Sequence, residues 1–392
     1  MERFDYLIVG GGMAADAAVK GIRQIDEKGT IGVLSEETDP PYKRPPLSKK
    51  LWMGKPEESI WLHTQDQGAD LRLGTRVVEV DPGGGRVLDE NANEYAYGKL
   101  LLATGGTPRR LSPDTEGLIY LRTVPDYHRL RELTERGERF AVIGGGFIGA
   151  EIAAALTINN KRVTMIFPST GIGEKVYPRE ISSFLVDYYR EHGVEVLAGD
   201  APASIRRKGD SYVVESRMGR EFTVDGVVVG IGISPNTELA EAAELAVDNG
   251  IVVDGFLRAS RPGVFAAGDA ACFYDMVLNK RRRVEHEDNA VTMGAHAGRA
   301  MAGDMAPYAH TPYFYSDLFD LGYEAVGDTD VALETLTDWK EPYKEGVVYY
   351  MQDGRVRGVL LWNVWDKVPA ATELLADPGP FTADDLKGRI GN

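Results

Sequence analysis

The stretch Tyr6-Leu-Ile-Val-Gly10-Gly-Gly12-Met-Ala-Ala15 constrains this chain more than any other. A short apolar run, suited to a buried parallel strand, stops at a cluster of glycines. A run of small helix-forming residues follows, with Ala14, Ala15, Ala17 and Ala18. Gly10 and Gly12 permit a tight turn and let bare backbone approach a bound group, and Ala15 keeps the helix near its strand. The helix start offers spare N–H groups and the positive end of its dipole, which suits a pyrophosphate. One such turn is a weak signal, but the chain repeats it. Ala141-Val-Ile-Gly144-Gly-Gly146-Phe-Ile-Gly149 has the same layout, ahead of a helical run from Ala150 to Leu156, and the two turns start 134 residues apart. Two such turns imply two dinucleotides, and two dinucleotides imply electron transfer between them.

The 392 residues suffice for two or three domains, and no apolar run approaches the ~20 residues of a membrane span. The N-terminus enters the first strand with no charged-then-apolar leader, so a cytoplasmic location is expected. The formal net charge of −16 argues against nucleic acid as a partner. Two basic runs, Arg206-Arg-Lys208 and Lys280-Arg-Arg-Arg283, read more readily as solvated residues than as partner sites. Cys272 is the only cysteine, so the chain has no dithiol relay of its own. The six histidines lack metal-ligand spacing, and no metal site is expected.

After the first turn, a helix runs to about Ile25 and a second strand spans Thr30–Leu34, ending at Ser35-Glu36. Glu36 stands where a Rossmann unit places an acid for the adenosine ribose; a solvated loop acid is the alternative. Pro40 to Trp52 is stiff with proline and brings Arg44 and Lys49 towards the first site, Arg44 as a planar fork for pyrophosphate. A hairpin is expected over 77–87, a buried strand over 99–103, and a helix from Pro125 to Glu135. Arg162–Phe167 is the second unit's second strand, and Pro168-Ser-Thr170 follows where an acid would hold an NAD ribose. A helix over 178–192 and hairpin strands over 204–215 and 221–231 complete that unit. Gly268-Asp269 ends another strand before a helix over 289–301, with Asp269 either a ligand for ribityl hydroxyls or a helix cap. From Tyr313 onward aromatic residues and short strands take over. They include a hairpin through Asp353-Gly354 and a final helix over 367–375.

The ordered set Gly10-Gly-Gly12, Ala103-Thr-Gly105, Gly144 to Glu151 and Ala267-Gly-Asp269 resembles the FAD-dependent pyridine nucleotide oxidoreductases. Pro41-Tyr-Lys-Arg-Pro-Pro-Leu-Ser-Lys49 is similar to the branch of ferredoxin and rubredoxin reductases and apoptosis-inducing factor. Arg281 to His286, Ser316-Asp-Leu and Gly322 to Gly327 are most similar to apoptosis-inducing factor. The resemblance implies an α/β fold with two Rossmann-like domains of glutathione-reductase type plus a C-terminal α+β domain. Residues 1–112 and 240–310 would bind FAD, 113–239 would bind NAD(P)H, and 311–392 would form the third domain.

The resemblance further implies that FAD is held by Gly10, Gly12, Met13, Ala14, Glu36, Arg44, Pro45, Lys49, Val78, Ala103, Thr104, Gly105, Arg109, Gly268, Asp269 and Ala290. NAD(P)H would use Gly145, Gly146, Phe147, Ile148, Glu151, Lys175 and Gly232. Lys49 and Glu151 would pair beside the flavin, with Glu285, His286 and Tyr315 also near its ring, as the catalytic set. Glu151 could instead be a first-turn acid that complements a helix dipole, and a lone His is often a core residue. Ser169 stands where NADH-selective members carry an acid, and no arginine fork shares its turn; NADH is favoured, with NADPH the alternative. The implied reaction moves hydride from nicotinamide to flavin N5. Electrons then pass to a ferredoxin, rubredoxin, quinone or oxygen without a cysteine relay. A redox sensor, whose NADH-reduced charge-transfer complex controls dimerisation or partner binding, is the second reading.

Overall fold

The computed structural model describes residues 1–112 and 115–390; the boundary expected at 112/113 and the last two residues of the expected third domain touch positions outside them. The chain forms two compact units. One comprises Met1–Arg44, Glu57–Thr107 and Ser234–Pro312; the other comprises Pro45–Pro56, Pro108–Ile233 and Tyr313–Asn392. The segments expected as the nucleotide-binding second domain and the C-terminal domain thus share the second unit, together with the Lys49 stretch.

In the first unit β1 (Glu2–Val9), α1 (Met13–Arg23), β2 (Ile31–Leu34) and β3 (Ala69–Arg72) precede a hairpin, β4 (Val77–Asp81) and β5 (Arg86–Asp89), and the long β6 (Glu94–Leu102). Four strands run parallel in the order β3-β2-β1-β6, and the strand Val264–Ala266 adds to β6, also parallel. The uninterrupted apolar run of β1 follows from this place: a central parallel strand is covered on both faces, and Leu7 and Ile8 are fully buried. The helix Glu287–Met301 packs on α1 with almost no side chain between them. A Cβ on Gly294 would lie 2.2 Å from the Ala14 carbonyl oxygen, one on Gly298 2.1 Å from that of Ala18, and one on Gly21 2.1 Å from that of Ala295. The small residues of α1 therefore serve this helix contact as well as the strand beneath.

In the second unit the parallel sheet runs Glu195–Ala198, Arg162–Phe167, Arg139–Ile143, Gly226–Val229. α2 (Val124–Arg136) opens with a capping box between Thr123 and Asp126 and a first-turn proline, α3 (Phe147–Ile158) follows the second glycine turn, and α4 (Arg179–Glu191) follows the second strand. The hairpin expected over 204–215 and 221–231 is instead three antiparallel strands, Pro202–Lys208, Ser211–Ser216 and Glu221–Val224. Gly209, at φ +62°, turns the chain inside the first expected strand. At the other end Asp225 accepts from the N–H groups of Glu138 and Arg139, and the chain then leaves as Gly226–Val229 for the parallel sheet. From Tyr313 the chain builds a five-stranded antiparallel sheet, with the expected hairpin joining Glu345–Gln352 and Arg355–Trp362 through two residues of positive φ, Asp353 and Gly354. The helix expected to be last, Val368–Ala376, is followed by a further short one, Ala383–Leu386, with its own Thr382–Asp385 capping box.

The α1 contact is directly testable. Gly298→Val is expected to lower stability by about 2–4 kcal/mol, because the added atoms collide with backbone that cannot step aside. Denaturant unfolding measures it; a stability within 0.5 kcal/mol of the parent, roughly the scatter of a neutral surface change, would contradict the close packing.

Candidate cofactor and redox sites

Both glycine turns share one local design. Gly10 and Gly144 adopt φ of +116° and +117°, a region open to glycine but strained for other residues. A Cβ at Gly10 would lie 2.2 Å from the Ala103 carbonyl oxygen, and one at Gly144 2.2 Å from that of Gly230. The middle glycines press on the next strand, Gly11 on Ser35 and Gly145 on Phe167. The third glycines are different: a Cβ at Gly12 would meet only the Arg44 guanidinium at 3.9 Å, and one at Gly146 would meet nothing within 4 Å. Each is the N-cap of its helix, and neither helix receives a side-chain cap. The first two glycines thus bring strand, turn and helix together. The third leaves open space in front of the uncapped N–H groups, a cradle that fits a pyrophosphate.

Around the first cradle, Met13 and Ala14 are buried in the opening turn of α1, and Glu36 is exposed just beyond β2, 3.9 Å from Arg76. Arg44 lies beside the cradle, but its partners are Glu37, in a tight ion pair, and the Tyr42 hydroxyl at 2.8 Å. Burial alone would favour its neutral form; Glu37, with Tyr42 and Asp269 adding to it, outweighs burial and keeps the guanidinium charged. Ala103 and Thr104 follow β6, where Thr104 Oγ donates to the Asn236 carbonyl at 2.7 Å and Gly105 turns at φ +67°. Gly268, at φ +74°, packs closely on α1: a Cβ would lie 3.0 Å from that of Ala14 and 4.0 Å from that of Ala290. Asp269 is therefore carried to the α1 turn. Its carbonyl accepts from Arg283, which also pairs with Glu285 at 2.5 Å, and His286 is the N-cap of the helix that carries Ala290. Val78 lies exposed on β4.

In the second unit Phe147 packs edge-on against Phe314 at 5.6 Å, and Ile148 stays exposed at the start of α3. Arg109, expected among the FAD ligands, is bound to the loop of the second unit: its N–H donates to the Gly232 carbonyl and its Nε to that of Ile233. Gly232 is at φ +96° and Lys175 is exposed.

The second unit also holds a buried ion pair. Lys49 and Glu151, 102 positions apart, sit 3.0 Å from each other with side chains 7% and 5% exposed. Sequence reasoning paired them only through the resemblance, and missed what surrounds them. Ser48 Oγ donates to one carboxylate oxygen of Glu151 and Ser316 Oγ to the other, both at 2.6 Å. These are lengths of charge-assisted bonds. The Lys49 ammonium lies 4.2 Å above the Tyr315 ring centre and 3.5 Å from the Tyr315 carbonyl oxygen. Burial above all, with the charge of Glu151 adding to it, pushes the hydroxyls of Tyr177, Tyr189 and Tyr323 far above the ordinary tyrosine range, so they stay neutral. A narrow cleft lined by Trp52, Ile158, Asp317 and Phe319 reaches the pair. The motif Ser48-Lys49 and the matching Ser316-Asp-Leu were visible in the sequence, but only folding shows that both serines aim at one carboxylate.

Residues 4–294 match the family described as pyridine nucleotide-disulphide oxidoreductase, and residues 297–342 and 337–377 match the C-terminal region of apoptosis-inducing factor. The chain belongs to the pyridine nucleotide-disulphide oxidoreductase family. It is 33% identical to apoptosis-inducing factor 1 of Dictyostelium discoideum over 96% of this chain and 79% of that protein. It is 36% identical to the ferredoxin reductase subunit of a 5,5'-dehydrodivanillate O-demethylase from Sphingobium, over 91% and 89%. Among solved structures, putidaredoxin reductase in its covalent complex with putidaredoxin is similar at a TM-score of 0.86 and 30% identity, covering 96% of this chain and 97% of that one. The protein is an FAD- and NAD(P)H-dependent oxidoreductase with the fold that the motifs imply. The family name includes a disulphide, yet the one cysteine here, Cys272, is buried, with burial raising its thiol pKa.

Removing the cation from the buried pair tests its coupling. Lys49→Ala is expected to cost about 3–5 kcal/mol in denaturant unfolding, because Glu151 is left buried and uncompensated. Lys49→Ala/Glu151→Gln should recover much of that loss; a double variant as unstable as the sum of two large single losses would mean that the two groups act separately.

Proposed function

We propose that this oxidoreductase takes its electrons from NADH and delivers them to a small iron–sulfur carrier protein. The observation that carries the reading is the single, buried Cys272: with no thiol pair to relay them, electrons leave by direct contact with the acceptor. The Sphingobium relative is named as a ferredoxin reductase subunit and the structural relative is seen joined to putidaredoxin, which supports a carrier of this kind. Bound NAD(P)H supplies hydride, and bound FAD accepts it and can release electrons one at a time. The chain's own contribution is placement and charge. The two glycine cradles would hold the pyrophosphates, with Asp269 and Glu36 serving the FAD and the start of α3 the NAD(P)H. The Lys49 ammonium, fixed by Glu151 and kept from water, would favour negative charge developing next to it in a low-dielectric setting. Glu285, His286 and Tyr315 complete the proposed redox set.

The Lys280–Arg283 run is a poor docking site for such a carrier. Arg281 donates to the Val253 carbonyl, Arg282 pairs with Asp275 at 3.4 Å, and Arg283 binds Glu285 and the Asp269 carbonyl. A second reading, a redox sensor that changes its self-association on reduction, is supported by the C-terminal match to apoptosis-inducing factor. A quinone as acceptor, a homodimer and a cytoplasmic location remain part of the proposal.

An anaerobic titration followed by visible absorbance separates these readings. The purified protein is expected to be yellow, to bleach with one equivalent of NADH, and to recolour within seconds when an oxidised [2Fe–2S] ferredoxin is added. A reduced form that persists for minutes in air and changes oligomeric state would replace the reductase reading with the sensor. Protein that stays colourless after FAD is added would end both.

A further inference from the structure

The two glycine turns hold their neighbouring strands in the same register, and this fixes which residues correspond. Gly10 N–H donates to the Leu34 carbonyl at 2.8 Å, and Gly144 N–H donates to that of Ile166 at 3.0 Å. One residue on, a Cβ at Gly11 would strike Ser35 and one at Gly145 would strike Phe167. Leu34 thus corresponds to Ile166, Ser35 to Phe167, and the ribose acid Glu36 to Pro168. In the second unit this register puts a proline, exposed and without charge or donor, at the place of that acid, one residue before the Ser169 that the resemblance pointed to. The next position, Ser169, turns its hydroxyl to the Gly171 carbonyl at 3.0 Å.

The carboxylate missing from the strand end returns from further along the loop. Glu174 reaches back four residues: one oxygen accepts from the Thr170 N–H at 2.7 Å and the other from the Thr170 hydroxyl at 3.3 Å. The residue before it, Gly173, donates its N–H to the Gly145 carbonyl at 2.8 Å, so the loop is fastened to the glycine turn itself. Both ends of the carboxylate's setting are therefore tied down, one to the strand end and the other to the turn. A Rossmann unit holds the adenosine ribose between these two features.

We propose that Glu174 is the specificity-determining residue of the NAD(P)H site, and that it selects NADH by accepting from the ribose hydroxyls and repelling a 2′-phosphate. This rests on the reading of the second unit as the NAD(P)H cradle. Lys175 places a cation next door, but it is exposed at the loop surface, whereas the Glu174 carboxylate is held by two hydrogen bonds. A fixed charge discriminates more sharply than one that can swing into water, because no ordering is needed when the nucleotide arrives.

The test measures dissociation constants of NAD+ and NADP+ by calorimetry, and kcat/KM for NADH and NADPH, on the FAD-loaded protein. The parent is expected to favour the unphosphorylated nucleotide about tenfold or more in both readouts. Glu174→Gln should bring the ratio within about threefold of unity, chiefly by tightening NADP+. Pro168→Glu on that background should restore the preference, which a variant that had merely lost its loop structure would not do. A parent that favours NADPH, or a Glu174→Gln variant that keeps the parent's ratio, overturns the proposal. Failure of the parent to bind either nucleotide would instead overturn the reading on which it rests.

Discussion

The structure depends first on backbone meeting backbone without a side chain in between. At Gly10 and Gly144 the turn passes so close to a neighbouring carbonyl that a Cβ would overlap it, and both residues adopt a positive φ that costs other residues free energy. The same device holds α1 against the helix Glu287–Met301, where Gly21, Gly294 and Gly298 each face a carbonyl. Gly268 differs in meeting a side chain, the Ala14 Cβ, and this contact sets Asp269 beside the first turn. Each glycine weakens its own element by lost chain entropy. In return three segments distant in sequence converge at one helix start, whose uncapped N–H groups suit a charged ligand.

The Lys49–Glu151 pair follows a different logic. Two charges taken out of water cost more than their attraction returns unless every remaining lone pair is satisfied, so a buried pair is a poor device for stability alone. Here the satisfaction is nearly complete: both oxygens of Glu151 receive hydroxyl donors, and Lys49 has the carboxylate, a carbonyl and a ring face. The surrounding tyrosines are held neutral, so they add no competing negative charge around Glu151. An arrangement that invests this many partners in fixing one ammonium fits a group whose charge is needed where water would otherwise screen it.

What could be read from the sequence tracks what is local. The two turns, their strands and their helices were legible because glycine, apolar run and small-residue helix lie side by side. The hairpin at Asp353-Gly354 was legible because two positive-φ residues can sit in a two-residue loop. The error over 204–231 has the opposite cause. Gly209 reads as a tolerable strand residue until its φ is known, and the break at Asp225 exists because that side chain binds Glu138 and Arg139 some 86 residues away. The serines on Glu151 and the Glu37 partner of Arg44 were out of reach for the same reason: local sequence shows residue types, while partners are set by the fold.

Arg44 shows how such a partner alters a reading. A guanidinium near a pyrophosphate cradle suggests a phosphate ligand, but this one is already neutralised by Glu37 and anchored to Tyr42. Its planar fork still lies next to Gly12, so an arriving pyrophosphate would meet a cation shared with a carboxylate rather than a bare one. That weakens its attraction for free phosphates while keeping its geometry beside the uncapped N–H groups of α1. The second cradle, where a Cβ on Gly146 would meet nothing within 4 Å, offers the uncapped N–H groups of α3 without such a fork. The two cradles therefore share a backbone design and differ in the charges set around it.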